Sequence, residues 1–232
     1  MTLIIGCRAK DGVVVGADRK MLRGMEVDYS DKYYLLMDSV IFVAEGLTGI
    51  VDDFYYILRS ELNRRRGVET LYELKVIAED IIAELTERYS ERIGDRAPAR
   101  VILAGLENLF EGKANLYYIH SEGYGEHVKM ICTGHGGPYA LSLVKFLLDP
   151  EIGVEENAKR IAYVISWVSE EVDASVGGGP DVLYIKDRKT PAQGEKIVEK
   201  LSEDVIEEIK NLVKRHRNNL PQILELENKQ QK

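Results

Sequence analysis

The chain has 232 residues, with 39 Asp and Glu against 31 Lys and Arg for a formal net charge of −8. That balance argues against a nucleic acid or an anionic membrane surface as partner. No apolar run reaches the roughly 18–20 residues of a membrane-spanning helix, and the first residues carry no basic segment with a cleavage site, so the chain reads as a cytoplasmic protein.

The first predicted element is a strand-like run, Thr2-Leu3-Ile4-Ile5-Gly6, directly behind Met1. Removal of Met1 leaves a threonine with both a hydroxyl and a free α-amine. One residue then supplies a nucleophile and its base, and an α-amine of pKa about 7.7–8.0 suits a base at neutral pH. Asp11-Gly12 between two β-rich runs is a strong hairpin signal, and the second strand returns Asp18 and Arg19 toward the start of the first. Lys32 precedes a further strand-like run, Val40 to Ala44. Glu45-Gly46-Leu47-Thr48-Gly49 then opens a helix expected over 50–66. These residues make a coherent chemical set. A lysine near the Thr2 hydroxyl would lower its pKa, and Asp18 would keep that lysine charged and oriented. Backbone N–H groups at a helix start would hold a developing oxyanion.

A second helix is expected over 69–93, where Leu71, Leu74, Ile77, Ile81, Leu85 and Tyr89 recur at helical spacing. Strands follow at 99–105, near 114–120 and at 127–133. Gly136-Gly137-Pro138 starts a helix, with the proline at an early position. Residues 155–171 form another helix and Asp181 to Lys186 another strand. The order suits two antiparallel sheets packed together with helices on both outer faces, an α+β four-layer α/β/β/α sandwich. No Pro/Gly/Ser-rich linker divides the chain. It reads as a domain over 1–190 and an extension over 191–232, with an amphipathic helix from Glu195 to His216 and a disordered polar tail.

Other features carry less. Cys7 and Cys132 read as reduced strand residues, and neither CxxC nor HExxH is present, so no metal is expected. His120, His127 and His216 are scattered, and Gly177-Gly178-Gly179 lacks the Gly-Lys-Ser/Thr ending of a phosphate loop.

In the order and spacing of its motifs, residues 2–187 resemble the proteasome β-subunit family, including the HslV peptidase, which are N-terminal nucleophile hydrolases. The resemblance rests on Thr2 with Gly6, Lys10 to Val14, Ala17-Asp18-Arg19, Lys32, Gly46 to Gly49, Ile131 to Tyr139, and Asp173 to Asp181. It implies the same sandwich and a threonine peptidase that needs no cofactor. Thr2 matches the family's nucleophile, Asp18 and Lys32 its acid and lysine, Gly46 its oxyanion glycine, and Asp173 the acid that orders the α-amine. His135 stands where the family has a serine between two glycines. The family's second serine aligns with Val176, so Ser175 is one residue displaced. Met21, Ala44 and Thr48 match the lining of the pocket for the side chain before the scissile bond. Small Ala44 and Thr48 suggest an apolar or neutral side chain there, while Asp52 pulls toward a basic one. Two alternatives stand beside the peptidase: a peptide ligase or acyl transferase on the same scaffold, and a non-catalytic ring subunit. The resemblance implies a peptide or protein substrate, a homo-oligomer arranged as a ring, and a separate ATPase or α-type subunit for access.

Overall fold

The computed structural model describes residues 2–23, 26–65, 67–94, 99–190 and 196–230. The strands in chain order are β1 (Leu3–Ala9), β2 (Gly12–Asp18), β3 (Lys20–Arg23), β4 (Glu26–Tyr29), β5 (Tyr33–Met37) and β6 (Val40–Gly46). They continue as β7 (Ala99–Leu106), β8 (Ala114–Ile119), β9 (Gly125–His127), β10 (Met130–Gly134), β11 (Pro180–Lys186) and β12 (Val198–Lys200). The helices are α1 (Thr48–Arg64), α2 (Leu71–Ile93), α3 (Gly137–Leu147), α4 (Val154–Trp167) and α5 (Glu203–Gln230).

Two five-stranded sheets result, ordered β10-β1-β2-β11-β12 and β5-β6-β7-β8-β9, and every paired strand runs antiparallel. Strand alternation sorts the side chains into three apolar layers. Ile4, Val13, Val15 and Ala17 of the first sheet meet Ile41, Val43, Ile102, Ala104 and Leu116 of the second. The opposite face of the first sheet, through Leu3, Ile5, Val14 and Val182, packs on Ala140 and Val144 of α3 and on Ala158, Ile161 and Ile165 of α4. The outer face of the second sheet, through Phe42, Ala44, Val101 and Leu103, packs on Phe54 and Leu58 of α1 and Leu74, Ile77 and Ile81 of α2. This is the four-layer sandwich that the element order predicts. Local chemistry fixes the helix starts. At α2 the Thr70 hydroxyl accepts from Glu73 N–H at 3.2 Å, while the Glu73 carboxylate accepts from Thr70 N–H at 3.1 Å, a reciprocal cap.

Several boundaries move for physical reasons. The first hairpin turns at Lys10-Asp11 rather than Asp11-Gly12, and Asp11 Oδ1 accepts the Val154 N–H at 2.9 Å, serving the start of α4. The hairpin β3–β4 was not foreseen. The helix expected over 155–171 is α4 followed by a π-helical turn, Val168–Val172. The extension departs most. Residues 198–200, expected to be helical, add an edge strand to β11, and the helix starts only at Glu203. Glu195, the expected helix start, lies outside the described residues. Helix α5 continues to Gln230, through most of the tail expected to be disordered, and Ile206 and Ile209 join the core beneath α4.

An ion cluster ties this segment to the rest. Asp181, fully buried on β11, accepts from Arg19 Nε at 2.9 Å and Nη2 at 2.5 Å and from Lys200 Nζ at 2.6 Å. Burial alone would raise the Asp181 pKa, but the bonds from Arg19 and Lys200 outweigh it and lower it. Arg19 also reaches Glu203 at 3.0 Å. Asp181→Ala would leave two cations facing each other without their shared acceptor. The expected loss is about 3 kcal/mol, the low end for breaking a buried pair because both cations keep some hydration. Chemical denaturation checks it, and an unchanged midpoint would show that the cluster adds nothing to stability.

Candidate active site

The β1–β2 pairing sets Ile4 opposite Ala17, which brings Thr2 and Asp18 to the same end of the first sheet. Thr2 is 8% exposed. Asp18 is completely buried and its carboxylate is surrounded by donors. Oδ1 accepts the Leu3 N–H at 2.9 Å and Lys32 Nζ at 2.7 Å. Oδ2 accepts Gly177 N–H at 3.1 Å and Lys20 N–H at 3.2 Å. A buried carboxylate with this many donors is held in one orientation, which is what a charge placed to orient a lysine needs. Lys32 is itself buried, and burial drives its pKa below the ordinary lysine value against the opposing pull of Asp18.

The turn after β10 approaches Thr2 from the other side. Leu3 pairs with Gly134, and Gly136 N–H donates to Thr2 O at 3.2 Å. Gly134 has φ of +96°, and a Cβ at that position would lie 2.2 Å from Thr2 O. Any side chain there must displace the Thr2 carbonyl. Gly134→Ala is therefore expected to cost roughly 1–3 kcal/mol of backbone strain and to shift Thr2 out of place. A turnover assay at matched folded concentration checks it; wild-type turnover would mean that this turn does not position Thr2.

His135 sits between these two glycines. Its side chain is half exposed, with Nε2 4.0 Å from Asp173 Oδ2. Asp173 Oδ1 accepts from Ser175 N–H at 2.9 Å. Asp173 Oδ2 and Ser175 Oγ are both buried, yet find no hydrogen-bond partner among the described residues. Two orphaned polar atoms on one loop make a candidate cradle for a donor. Val176 is 2% exposed and belongs to the core, so Ser175 offers the hydroxyl closest in sequence to the position where the family's serine aligns. Lys20 Nζ donates to Ala174 O at 2.5 Å and fixes the same loop.

Thr2 and Lys32 open onto one pocket of about 270 Å³, close to the lower end of ligand pockets, roughly 300–1,000 Å³. Met21, Ala44, Gly46 and Thr48 all line this pocket. Gly46 closes β6 with φ of +143°, a conformation that favours glycine. Leu47 then occupies the α1 N-cap and has no side-chain cap bond, so the first N–H groups of α1 remain without a side-chain acceptor. Sequence reasoning missed Ser30, Asp31, Tyr34, Leu47 and Val51, which line the same pocket. Val51 was within reach, because it lies three residues after Thr48 on the same helix face. Glu45 was also missed: its Oε1 accepts from Thr133 Oγ1 at 2.6 Å and Arg100 Nη1 at 3.3 Å, joining the Gly46 end of one sheet to the Gly134 turn of the other.

The geometry thus gathers Thr2, Asp18, Lys32, Gly46 and the pocket residues at one end of the sandwich, with the His135–Asp173–Ser175 group on the turns that flank Thr2. Among the described residues no group of side chains could hold a metal ion, and no helix is long and apolar enough to cross a membrane. The family profile described as "Proteasome subunit" matches residues 2–185. The chain is 28% identical over 195 residues to proteasome subunit beta 1 of Korarchaeum cryptofilum, covering 81% of this chain and 88% of that one. It is 25% identical over 213 residues to proteasome subunit alpha of Methanococcus maripaludis, covering 90% and 76%. Among solved structures, Anbu (ancestral beta-subunit) from Yersinia bercovieri superposes with a TM-score of 0.78 at 14% identity, over 96% of both chains. With its profile match spanning nearly the whole sandwich, this chain belongs to the proteasome subunit family.

Proposed function

We propose that the chain is a threonine peptidase of the proteasome β type, acting once Met1 has been removed. Met1 itself lies outside the described residues. The observation that carries this reading is the buried Lys32–Asp18 pair, 2.7 Å apart, opening onto the same pocket as Thr2. Burying an ion pair is costly and stabilises a fold poorly, so its position on the pocket that Thr2 also lines favours a chemical role.

In the proposed reaction, Thr2 Oγ adds to the carbonyl carbon of a peptide or protein substrate while its proton passes to the α-amine. The Lys32 ammonium lowers the hydroxyl pKa, and the Gly46 N–H, at the end of β6 two residues before α1, stabilises the tetrahedral oxyanion. The C–N bond then breaks, the α-ammonium protonates the leaving amine, and an ester remains on Thr2 Oγ. Water, deprotonated by the α-amine, hydrolyses that ester and restores the hydroxyl. Asp173 Oδ2 and Ser175 Oγ, the two orphaned acceptors, would hold the α-ammonium, with His135 beside them.

His135 also favours a second reading, acyl transfer. A half-exposed imidazole at the mouth of the amine site would favour an incoming amine over water as acceptor of the acyl group. Relatives named as both alpha and beta subunits leave a non-catalytic ring subunit as the third. Family membership supports assembly into rings with further copies in the cytoplasm, served by a separate ATPase or α-type subunit.

The deciding experiment is intact mass before and after incubation with a peptide epoxyketone, which needs both the threonine hydroxyl and its free amine to close a stable ring. The expected result is a mass lacking Met1 that gains one stoichiometric adduct. A mass retaining Met1 with no adduct overturns the catalytic reading in favour of the ring subunit.

A further inference from the structure

Thr2 and Gly46 belong to different sheets. Thr2 stands at the head of β1 in the first, whereas Gly46 closes β6 in the second. Attack by the Thr2 hydroxyl with the Gly46 N–H as oxyanion donor needs the two held in register, since a misplacement of about 1 Å can cost a hundredfold in rate. Glu45 sits at that seam. Ile41 and Val43 of β6 face the first sheet across the inter-sheet core, and strand alternation turns Glu45 the same way. Its side chain is only 13% exposed, so the carboxylate needs partners within the protein. Arg100, directly opposite on β7 of the same sheet, donates to Glu45 Oε1 at 3.3 Å. Thr133 Oγ1, on β10 of the first sheet, donates to the same oxygen at 2.6 Å. That second bond crosses between the sheets. Thr133 pairs with Ile4 and immediately precedes Gly134, where an added Cβ would crowd both Thr2 O and Glu45 Oε2. The carboxylate therefore reaches the turn that holds Thr2, while the peptide joining Glu45 to Gly46 carries the oxyanion N–H.

We infer that Glu45 is a positioning residue for acylation, its bond to Thr133 setting the Gly46 oxyanion donor against the Thr2 nucleophile. The inference rests on the threonine-nucleophile reading and assigns that site a residue acting from behind it. The pocket wall is made by the neighbours Ala44 and Gly46, so the effect of Glu45 falls on the chemical step and leaves substrate binding alone. The Lys32–Asp18 bond also reaches the first sheet, but it fixes the lysine and leaves Gly46 untethered. What the tie requires of residue 45 is an acceptor oxygen for the Thr133 hydroxyl, which an amide carbonyl supplies as well. Arg100 is 39% exposed, and a partly hydrated ion pair contributes little by itself. A residue that merely closed the end of the core would behave differently: its loss would lower stability and leave the folded enzyme's rate unchanged.

The test measures single-turnover acylation of the full-length protein by an activated peptide ester, at matched folded concentration. Labelling of wild-type Thr2 by a peptide epoxyketone runs beside it. Glu45→Ala and Thr133→Val should each lower the acylation rate at saturating peptide by about tenfold to a hundredfold. The peptide concentration that half-saturates the rate should stay at its wild-type value. The double variant should fall no further than either single one, because both remove the same bond. Glu45→Gln should recover most of the rate lost in Glu45→Ala. Wild-type rates in Glu45→Ala and Thr133→Val overturn the inference, as do losses that multiply in the double variant or a change confined to half-saturation. A Glu45→Gln as slow as Glu45→Ala overturns it too, by assigning the effect to charge. In each of these cases a labelled wild-type Thr2 leaves the nucleophile standing. No labelling of the wild type overturns the nucleophile reading, and the inference with it. If Glu45→Ala does not fold, Thr133→Val, which keeps the shape of threonine and lacks only its hydroxyl, decides together with Glu45→Gln.

Discussion

Thr2→Ala is expected to abolish peptide turnover, by about 10,000-fold or more, while fold and assembly stay as in the wild type. The substitution removes Oγ, the atom proposed to form the acyl-enzyme, and keeps the α-amine and the backbone. Thr2 O would still accept from Gly136 N–H, and Leu3 N–H would still donate to Asp18. Thr2 is small and, among the described residues, its backbone carbonyl takes the hydrogen bond from Gly136, so the change costs the fold little. Thr2→Ser, which keeps the hydroxyl, is expected to retain measurable turnover. The assay is single-turnover acyl transfer with an activated peptide ester, followed by mass spectrometry for an adduct on the N-terminal peptide. Turnover of Thr2→Ala close to wild type would remove Thr2 from the chemistry altogether.

The parts of the site legible in the sequence are those defined by short-range chemistry. Thr2 at the head of a strand, the hairpin returning Asp18, and Gly46 at a strand-to-helix passage follow from turn signals and alternation within a few dozen residues. The four layers were legible for the same reason: the apolar periods of β1, β2, α2 and α4 each state which face is buried. What escaped depends on contacts distant in sequence. The Arg19–Asp181–Lys200 cluster joins three segments up to 181 positions apart, and no local pattern announces it. The edge strand β12 is only three residues long; its apolar residues fit a helical stripe as well as a strand, and pairing with β11 decided between them. Asp31, in the loop before β5, and Tyr34, on β5, line the pocket beside the first turn of α1, a placement set by sheet packing. The Glu45–Thr133 bond arises where the two sheets meet, and the Glu45–Arg100 bond joins opposite residues of β6 and β7; alternation within one strand carries no sign of either.

Lys32→Met carries the second large effect, and its two consequences separate by pH. The substitution leaves Asp18 fully buried without its ammonium partner, and breaking a buried pair in this way costs about 3–5 kcal/mol. Turnover should fall nearly as far as in Thr2→Ala, because the Thr2 hydroxyl loses the charge that lowers its pKa. Asp18→Asn combined with Lys32→Met restores part of the stability by removing the stranded carboxylate, yet should restore no activity. Linkage gives an independent check. Burial lowers the Lys32 pKa in the folded protein below its value of 10.5 when unfolded. Between those two values the unfolded chain binds the extra proton, so the Lys32 contribution to stability rises as pH rises through that window. Below the folded pKa the ammonium is present in both states and the burial cost is fully felt. Catalysis should move the opposite way. Turnover should climb as the α-amine loses its proton near pH 8 and then decline as Lys32 deprotonates below 10.5. The residual activity of Lys32→Met should keep the rising limb and lose the falling one. A falling limb of equal position in the variant would assign that titration to another group and leave Lys32 a structural residue.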